Sequence, residues 1–262
     1  MSTSLPAWPY PRWIAHRGAG KLAPENTLAA FRLGARYGWR MFECDVKLSR
    51  DGVLFLLHDA TLERTTGGHG SASGRPIASR RIAGDYTIGD LAQLDVGSWH
   101  SRAYAGEAIP TLEAVARWCI ANHYFLNVEI KPTPGQEEET GRAVGTLLQR
   151  IWPAHAVPPL LTSFQPESLR GARATAPQLP RGLLVDQLAG GDADLHSALD
   201  LGCQAMVLNH ALWDAALVAR VHGAGLRALS YTVNDDWAAQ RLIDLNTDGI
   251  ITDRVDLFSP AD

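Results

Sequence analysis

The chain has 262 residues, close to the ~250 that one (β/α)8 barrel commonly needs, so one large domain fits as well as two small ones. A content of 46% hydrophobic and 20% charged residues excludes a disordered or fibrous chain, and three scattered cysteines, Cys44, Cys119 and Cys203, argue against a disulfide framework or a thiolate zinc site. A net charge of −4 without any Lys/Arg block gives no reason to expect nucleic acid or an anionic membrane as partner, which leaves a small-molecule substrate.

Met1 to Pro11 is rich in Pro and Trp and lacks a basic segment followed by a long apolar core, so it does not read as a secretory signal, and a cytoplasmic protein is expected. No later run is long enough to span a bilayer. From there short β-branched or aromatic runs alternate with amphipathic stretches. Strands are expected near 12–17, 41–48, 124–131, 159–164, 180–186, 204–209, 226–233 and 248–252. Helical periodicity fills most gaps, as in Asn26 to Tyr37, Leu112 to Ala121, Glu137 to Ile151 and Asp235 to Leu245. Eight strands with crossover helices predict an α/β fold, a closed (β/α)8 TIM barrel over residues 1–262.

After the second strand the pattern changes. Arg50-Asp51-Gly52-Val53 leads directly into the apolar run Val53 to Leu57, and Asp-Gly between two such runs signals a hairpin. With Asp51 and Gly52 as the two loop residues, His58 falls opposite Asp45. Residues 60–107 are Gly/Ser/Thr-rich and too long for a simple loop, and they read as a small insertion capping the barrel mouth.

In Phe42-Glu43-Cys44-Asp45-Val46 the two-residue period of a strand places Glu43 and Asp45 on one face. Asn127-Val128-Glu129-Ile130-Lys131 repeats the pattern on the next barrel strand, with Glu129 and Lys131 together. Carboxylates inside a barrel are costly unless paired or bound to a cation. A single Glu-x-Asp would more often be salt-bridged at a strand end; two such strands favour a hard divalent ion, Mg²⁺, Ca²⁺ or Mn²⁺. His16-Arg17-Gly18 closes the first strand at the rim where barrel chemistry sits, and His58-Asp59 supplies a second imidazole beside a carboxylate. The other seven histidines, His69, His100, His123, His155, His196, His210 and His222, have no such setting.

Taken in order, His16-Arg17-Gly18, Pro24-Glu25-Asn26-Thr27, Glu43-Cys44-Asp45-Val46, His58-Asp59 and Glu129-Ile130-Lys131 resemble the motifs of the glycerophosphodiester phosphodiesterase family, in its bacterial cytosolic form. The likeness continues through Thr61 to Thr66, Leu94 to Trp99, Ile109 to Glu113, Tyr231 to Asn234 and Gly249 to Asp253. The resemblance implies a TIM barrel with a capping insertion that releases an alcohol and sn-glycerol 3-phosphate from substrates such as glycerophosphocholine or glycerophosphoethanolamine. It implies one divalent cation on Glu43, Asp45 and Glu129, an acid/base pair in His16 and His58, phosphoryl contacts from Arg17 and Lys131, and Tyr231 at the glycerol end. Glu25 is placed with the substrate-binding group, although a carboxylate favoured by a helix start explains it equally. Two other functions remain open on the sequence: a related barrel lyase, of the phosphoinositide-cleaving phospholipase or sphingomyelinase D kind, and a non-catalytic glycerophosphodiester-binding barrel.

Overall fold

The computed structural model describes residues 7–66 and 82–260, so residues 67–81 of the expected insertion, His69 among them, lie outside the description. Each barrel strand is short and almost wholly buried, because one face meets the barrel interior and the other the helical layer. The strands are β1 (Trp13–Ala15), β2 (Met41–Leu48), β3 (Leu54–Leu56), β4 (Phe125–Ile130), β5 (Leu160–Ser163), β6 (Arg181–Val185), β7 (Ala205–Asn209), β8 (Arg227–Tyr231) and β9 (Gly249–Thr252). Eight of them are parallel in the order β1-β9-β8-β7-β6-β5-β4-β2, and a β1–β2 pairing closes the ring. The expected (β/α)8 barrel is present.

The helices follow the apolar periodicity: α1 (Leu28–Arg36), α2 (Ile88–Leu91), α3 (Leu112–Ala121), α4 (Glu137–Ile151), α5 (Pro166–Thr175), α6 (Ala193–Asp200), α7 (Ala215–Gly223) and α8 (Asp236–Asp244). Side chains at N-caps start several of them, as Thr27 accepts from Ala30 N and Thr111 from Ala114 N. The main core lies between strands and helices, with Phe31, Trp39, Phe42, Leu126, Val144 and Leu208 in it. A second core fills the barrel interior, where Tyr10 plugs the bottom among Ile14, Met41, Leu160, Val207 and Leu229. The Tyr10 hydroxyl donates to Pro158 O at 2.8 Å.

β3 is the extra strand, antiparallel to β2, and its register corrects the sequence reading. Val46 pairs with Leu56 and Leu48 with Leu54, so the loop holds three residues, Arg50 to Gly52, between Ser49 and Val53. Gly52 takes φ 78°, the left-handed conformation that ends a three-residue hairpin loop. Asp51 is turned aside, accepting from Ser49 Oγ at 2.7 Å and from Ile88 N at 2.9 Å. Leu57, not His58, therefore lies opposite Asp45, with Leu57 N 3.1 Å from Asp45 O. His58 sits one residue further, past the end of the ladder.

Beyond β3 the described part of the insertion has its own small core of Leu62, Ala83, Leu91, Leu94 and Val96 packed on Phe55 and Leu57. α2 belongs to it and is closed by a capping box between Thr87 and Asp90. The insertion leans on the loop after β1, through His100 Nε2 to Lys21 O at 3.0 Å and Tyr104 Oη to Leu22 O at 3.5 Å.

Candidate active site

β1 touches β2 at a single register position, Ala15 beside Phe42. Above that point the edge of β2 would be bare. The loop after β1 fills it: Asp45 N donates to Asn26 Oδ1 at 3.1 Å, and Asn26 Nδ2 donates back to Asp45 Oδ2 at 2.8 Å. Arg17 N likewise donates to Glu43 Oε2 at 2.9 Å. Arg17 and Asn26 hold φ of 50° and 58°, uncommon for residues with side chains, and the loop turns tightly enough that a Cβ on Gly20 would collide with the backbone of Asp253.

Glu43 and Asp45 point inward from β2, and Glu129 stands beside Asp45 on β4 in parallel register. All three are buried, and one oxygen from each lies within 4.8 Å of the others. Two cations serve these three carboxylates. Arg17 Nε is 3.2 Å from Asp45 Oδ2; Lys131 Nζ is 2.7 Å from Glu129 Oε1 and 3.4 Å from Asp45 Oδ1. Burial and the neighbouring charges of Asp45 and Glu129 push the Glu43 carboxyl up to about 8. Burial raises Glu129 as well, followed by the charge of Asp45. Burial acts on Asp45 in the same sense, but the charges of Arg17 and Lys131 outweigh it and hold Asp45 below the ordinary carboxylate range. Glu43 Oε1 and Asp45 Oδ1 are buried without a hydrogen-bond partner. A buried unsatisfied carboxylate oxygen is expensive, and a hard divalent cation with oxygen ligands fits these three residues.

Two histidines flank the carboxylates. His16 Nδ1 pairs with Asp253 Oδ1 at 2.7 Å, which aims Nε2 towards Glu43 Oε2, 3.8 Å away. Asp253 is itself held by Asn234, which donates to Oδ2 at 3.0 Å and accepts from Asp253 N at 2.9 Å. Burial opposes a charge on His16, yet the Asp253 hydrogen bond and the Glu43 charge leave its pKa raised. His58 Nδ1 pairs with Asp59 Oδ1 at 2.8 Å. Its burial, which opposes charge, wins over the nearby Asp45, and its pKa is lowered. Two imidazoles in different protonation preferences suit opposite proton transfers.

The structure thus brings together Glu43, Asp45, Glu129, His16, Arg17 and Lys131, with His58 at the margin. Tyr231 stands on the opposite wall, its hydroxyl 3.1 Å from Val185 O and 3.3 Å from Asp186 Oδ1, and its ring edge-on to Phe164. Glu25 faces arginines rather than the centre: Oε1 accepts from Arg17 at 2.9 Å and both oxygens accept from Arg64. Four further residues have no role in the sequence reading, although Arg64, Asn234 and Asp253 fall within segments that carry the family likeness. Asp253 and Asn234 orient His16; Arg64 bridges Glu25 and Asp59; and Lys47, buried on the same face of β2 as Asp45, donates to Lys131 O at 2.9 Å. Burial brings the Lys47 ammonium down to about 8. The period of Glu43 and Asp45 extends to Lys47, so that residue was within reach of the pattern. Among the described residues no helix is long and apolar enough to cross a membrane.

Comparison with known proteins agrees with this geometry. A glycerophosphodiester phosphodiesterase of Caldanaerobacter subterraneus subsp. tengcongensis is 32% identical over 249 residues, covering 92% of this chain and 93% of the relative. One of Bacillus subtilis is 31% identical over 265 residues, covering 94% and 84%. A solved phosphodiesterase of Oleispira antarctica, in complex with the product sn-glycerol-3-phosphate, superposes with a TM-score of 0.86 at 33% identity, over 96% of this chain and 97% of that one. The model of the glycerophosphoryl diester phosphodiesterase family matches residues 16–257. With the barrel, the carboxylates and nearly the whole chain in agreement, this protein belongs to the glycerophosphoryl diester phosphodiesterase family and is an enzyme of that kind.

Proposed function

We propose that the protein hydrolyses glycerophosphodiesters, such as glycerophosphocholine and glycerophosphoethanolamine, to sn-glycerol 3-phosphate and an alcohol. The observation that carries the reading is the convergence of three buried carboxylates, two of them with an unsatisfied oxygen, two cations and two carboxylate-held histidines at one rim of the barrel. The relative solved with sn-glycerol-3-phosphate supports the product.

In this reading Glu43, Asp45 and Glu129 hold one divalent cation, Mg²⁺, Ca²⁺ or Mn²⁺. A bound cation of this kind offsets phosphoryl charge and lowers the pKa of an oxygen nucleophile. The side chains of the chain itself do the rest. A phosphodiester is anionic and repels attack; Arg17 and Lys131 take its non-bridging oxygens, where negative charge grows in the transition state. One of His16 and His58 accepts the proton of the attacking oxygen and the other gives a proton to the departing alkoxide. Asp253 and Asp59, each on a Nδ1, leave the Nε2 atoms for these transfers. Tyr231, beside Phe164, borders the glycerol end. Glu25 acts through Arg17, whose direction it sets. The fold acts as one domain, with the insertion as its cap.

The decisive experiment is coupled detection of glycerol 3-phosphate from glycerophosphocholine, with and without exhaustive chelation. Activity is expected with a divalent cation and is expected to vanish with chelator. Activity that survives chelation removes the cation from the reading, and no release of glycerol 3-phosphate under any condition removes the reading. Leaving-group dependence assigns the histidines: loss of the acid should injure an alkyl ester far more than an activated aryl phosphodiester, whereas loss of the base should injure both.

A further inference from the structure

Arg64 belongs to the insertion, not to the barrel, yet its guanidinium reaches two carboxylates that each hold a residue of the site. Nε and Nη2 donate to Asp59 Oδ2 and Oδ1 at 2.6 and 2.9 Å, while Nη1 and Nη2 donate to Glu25 Oε2 and Oε1, both at 2.7 Å. Each carboxylate goes on to a site residue. Asp59 Oδ1 holds His58 Nδ1 at 2.8 Å, and Glu25 Oε1 accepts from Arg17 Nη1 at 2.9 Å. One planar fork therefore links the loop after β3, which carries His58, to the loop after β1, which carries Arg17. The Trp99 ring, from the other end of the insertion, lies 5.9 Å from the guanidinium carbon.

The side chain of Arg64 is 42% exposed, and a lone exposed ion pair would contribute little. Two bidentate pairs on one guanidinium are the exception, because the fork is rigid and each carboxylate is fixed by two bonds. Without Arg64, Asp59 and Glu25 keep their partners His58 and Arg17 but lose what fixes their own rotamers. Both histidine and arginine would then sample directions that do not face the carboxylate centre.

We propose that Arg64 is a positioning residue for the reaction: through Asp59 it sets the orientation and tautomer of His58, and through Glu25 it sets the direction of the Arg17 guanidinium. This rests on the function proposed above, in which His58 moves a proton and Arg17 meets the phosphate. Assembly of the active rim accordingly depends on the insertion being docked, since the residue that clasps the two loops is part of it.

The test uses the full chain with saturating divalent cation, and compares the parent with Arg64→Ala, Arg64→Lys, His58→Ala and the His58→Ala, Arg64→Ala double variant. Each is assayed on glycerophosphocholine and on an activated aryl phosphodiester. Arg64→Ala should lower kcat/KM on glycerophosphocholine roughly 10–100-fold, less than the full cost of losing acid–base catalysis. Its alkyl-to-aryl ratio should follow that of His58→Ala, shifted if His58 is the acid and unshifted if it is the base, and the double variant should show no further change in that ratio. Low millimolar guanidinium should restore part of the Arg64→Ala activity, which a loss of folding would not allow. Arg64→Lys keeps the charge without the fork, and should show the same ratio as Arg64→Ala; it also serves if Arg64→Ala does not fold. Parent-like activity in either Arg64 variant overturns the proposal, as does a loss whose alkyl-to-aryl ratio departs from that of His58→Ala with no guanidinium recovery. A parent inactive on both substrates overturns the underlying function instead, and is seen before any variant is made.

Discussion

The final barrel strand, β9, carries an aspartate–histidine pair at each end, and the two pairs have different fates. At the bottom, Asp248 accepts from His222 Nε2 at 2.8 Å, from Arg227 Nη1 at 2.7 Å and from Ala228 N at 2.8 Å. At the top, Asp253 accepts from His16 Nδ1 and from the neutral Asn234. Burial does not separate them: the imidazoles are 17% and 15% exposed. What differs is the balance of charge. The bottom aspartate already has a guanidinium, so its pair closes on itself. The top imidazole turns its free edge to a set of carboxylates that outnumber the cations bonded to them. A matched cluster holds a fold together; a mismatched one is held by the fold in order to be completed by something else.

The strongest way to break this contrast is to remove the surplus. Glu43→Ala, Asp45→Ala and Glu129→Ala should each lose most activity, on the order of 10³-fold or more if the carboxylates hold the cation that stabilises the transition state. Isothermal calorimetry with Mg²⁺, Ca²⁺ or Mn²⁺ checks the assignment, and parent-like cation binding in all three would refute it. The metal-free protein should respond in the opposite sense. Glu43 is held up to about 8 by burial and its carboxylate neighbours, against ~4.3 in an unfolded chain. The folded state therefore binds more protons across that window, and stability is lost as pH rises through it. In excess chelator, Glu43→Gln should melt at a higher temperature than the parent at pH 8 and above, with the difference vanishing near pH 4.

Next come the two pairs themselves. His16→Ala should lower kcat/KM by roughly 10²–10⁴, the range of general acid–base catalysis, and Asp253→Asn by less because the ring remains. Lys131→Met should lower kcat at saturating cation by roughly 10–10²-fold through lost transition-state stabilisation. If it merely needs more cation and then turns over normally, Lys131 only positions Glu129. The smallest effect belongs to the bottom. His222→Gln and Asp248→Asn should leave activity within about threefold while costing about 1–3 kcal/mol of stability, the usual cost of stranding a buried partner. A large loss of activity there would dissolve the distinction.

Much of this was legible in the residues, and the reasons for the rest are specific. The two-residue period of β2 and β4 exposes Glu43, Asp45, Glu129 and Lys131 as a common inward face, since a strand has no other way to arrange them. The hairpin reading slipped by one residue because Asp51 and Gly52 suit both a two- and a three-residue loop, and Asp51 is committed to Ser49 and Ile88. Asp253 depends on which strands become neighbours: once β1 lies on β9, with Ala15 beside Thr252, the next residues His16 and Asp253 meet. Arg64 sits in a segment without periodicity, and only the folded path of the insertion brings it to Glu25.

The Tyr10 plug has a consequence for traffic. Among the described residues apolar side chains fill the barrel from Tyr10 upward, so under the function proposed above substrate and both products share the opposite rim. If, as proposed, Arg17 and Lys131 hold the phosphoryl group, a leaving alcohol placed towards solvent can depart while the phosphate-bearing product still rests on them. Release is then ordered, and the product that leaves last occupies the doorway the next substrate needs, so it should act as a competitive inhibitor while the alcohol does not.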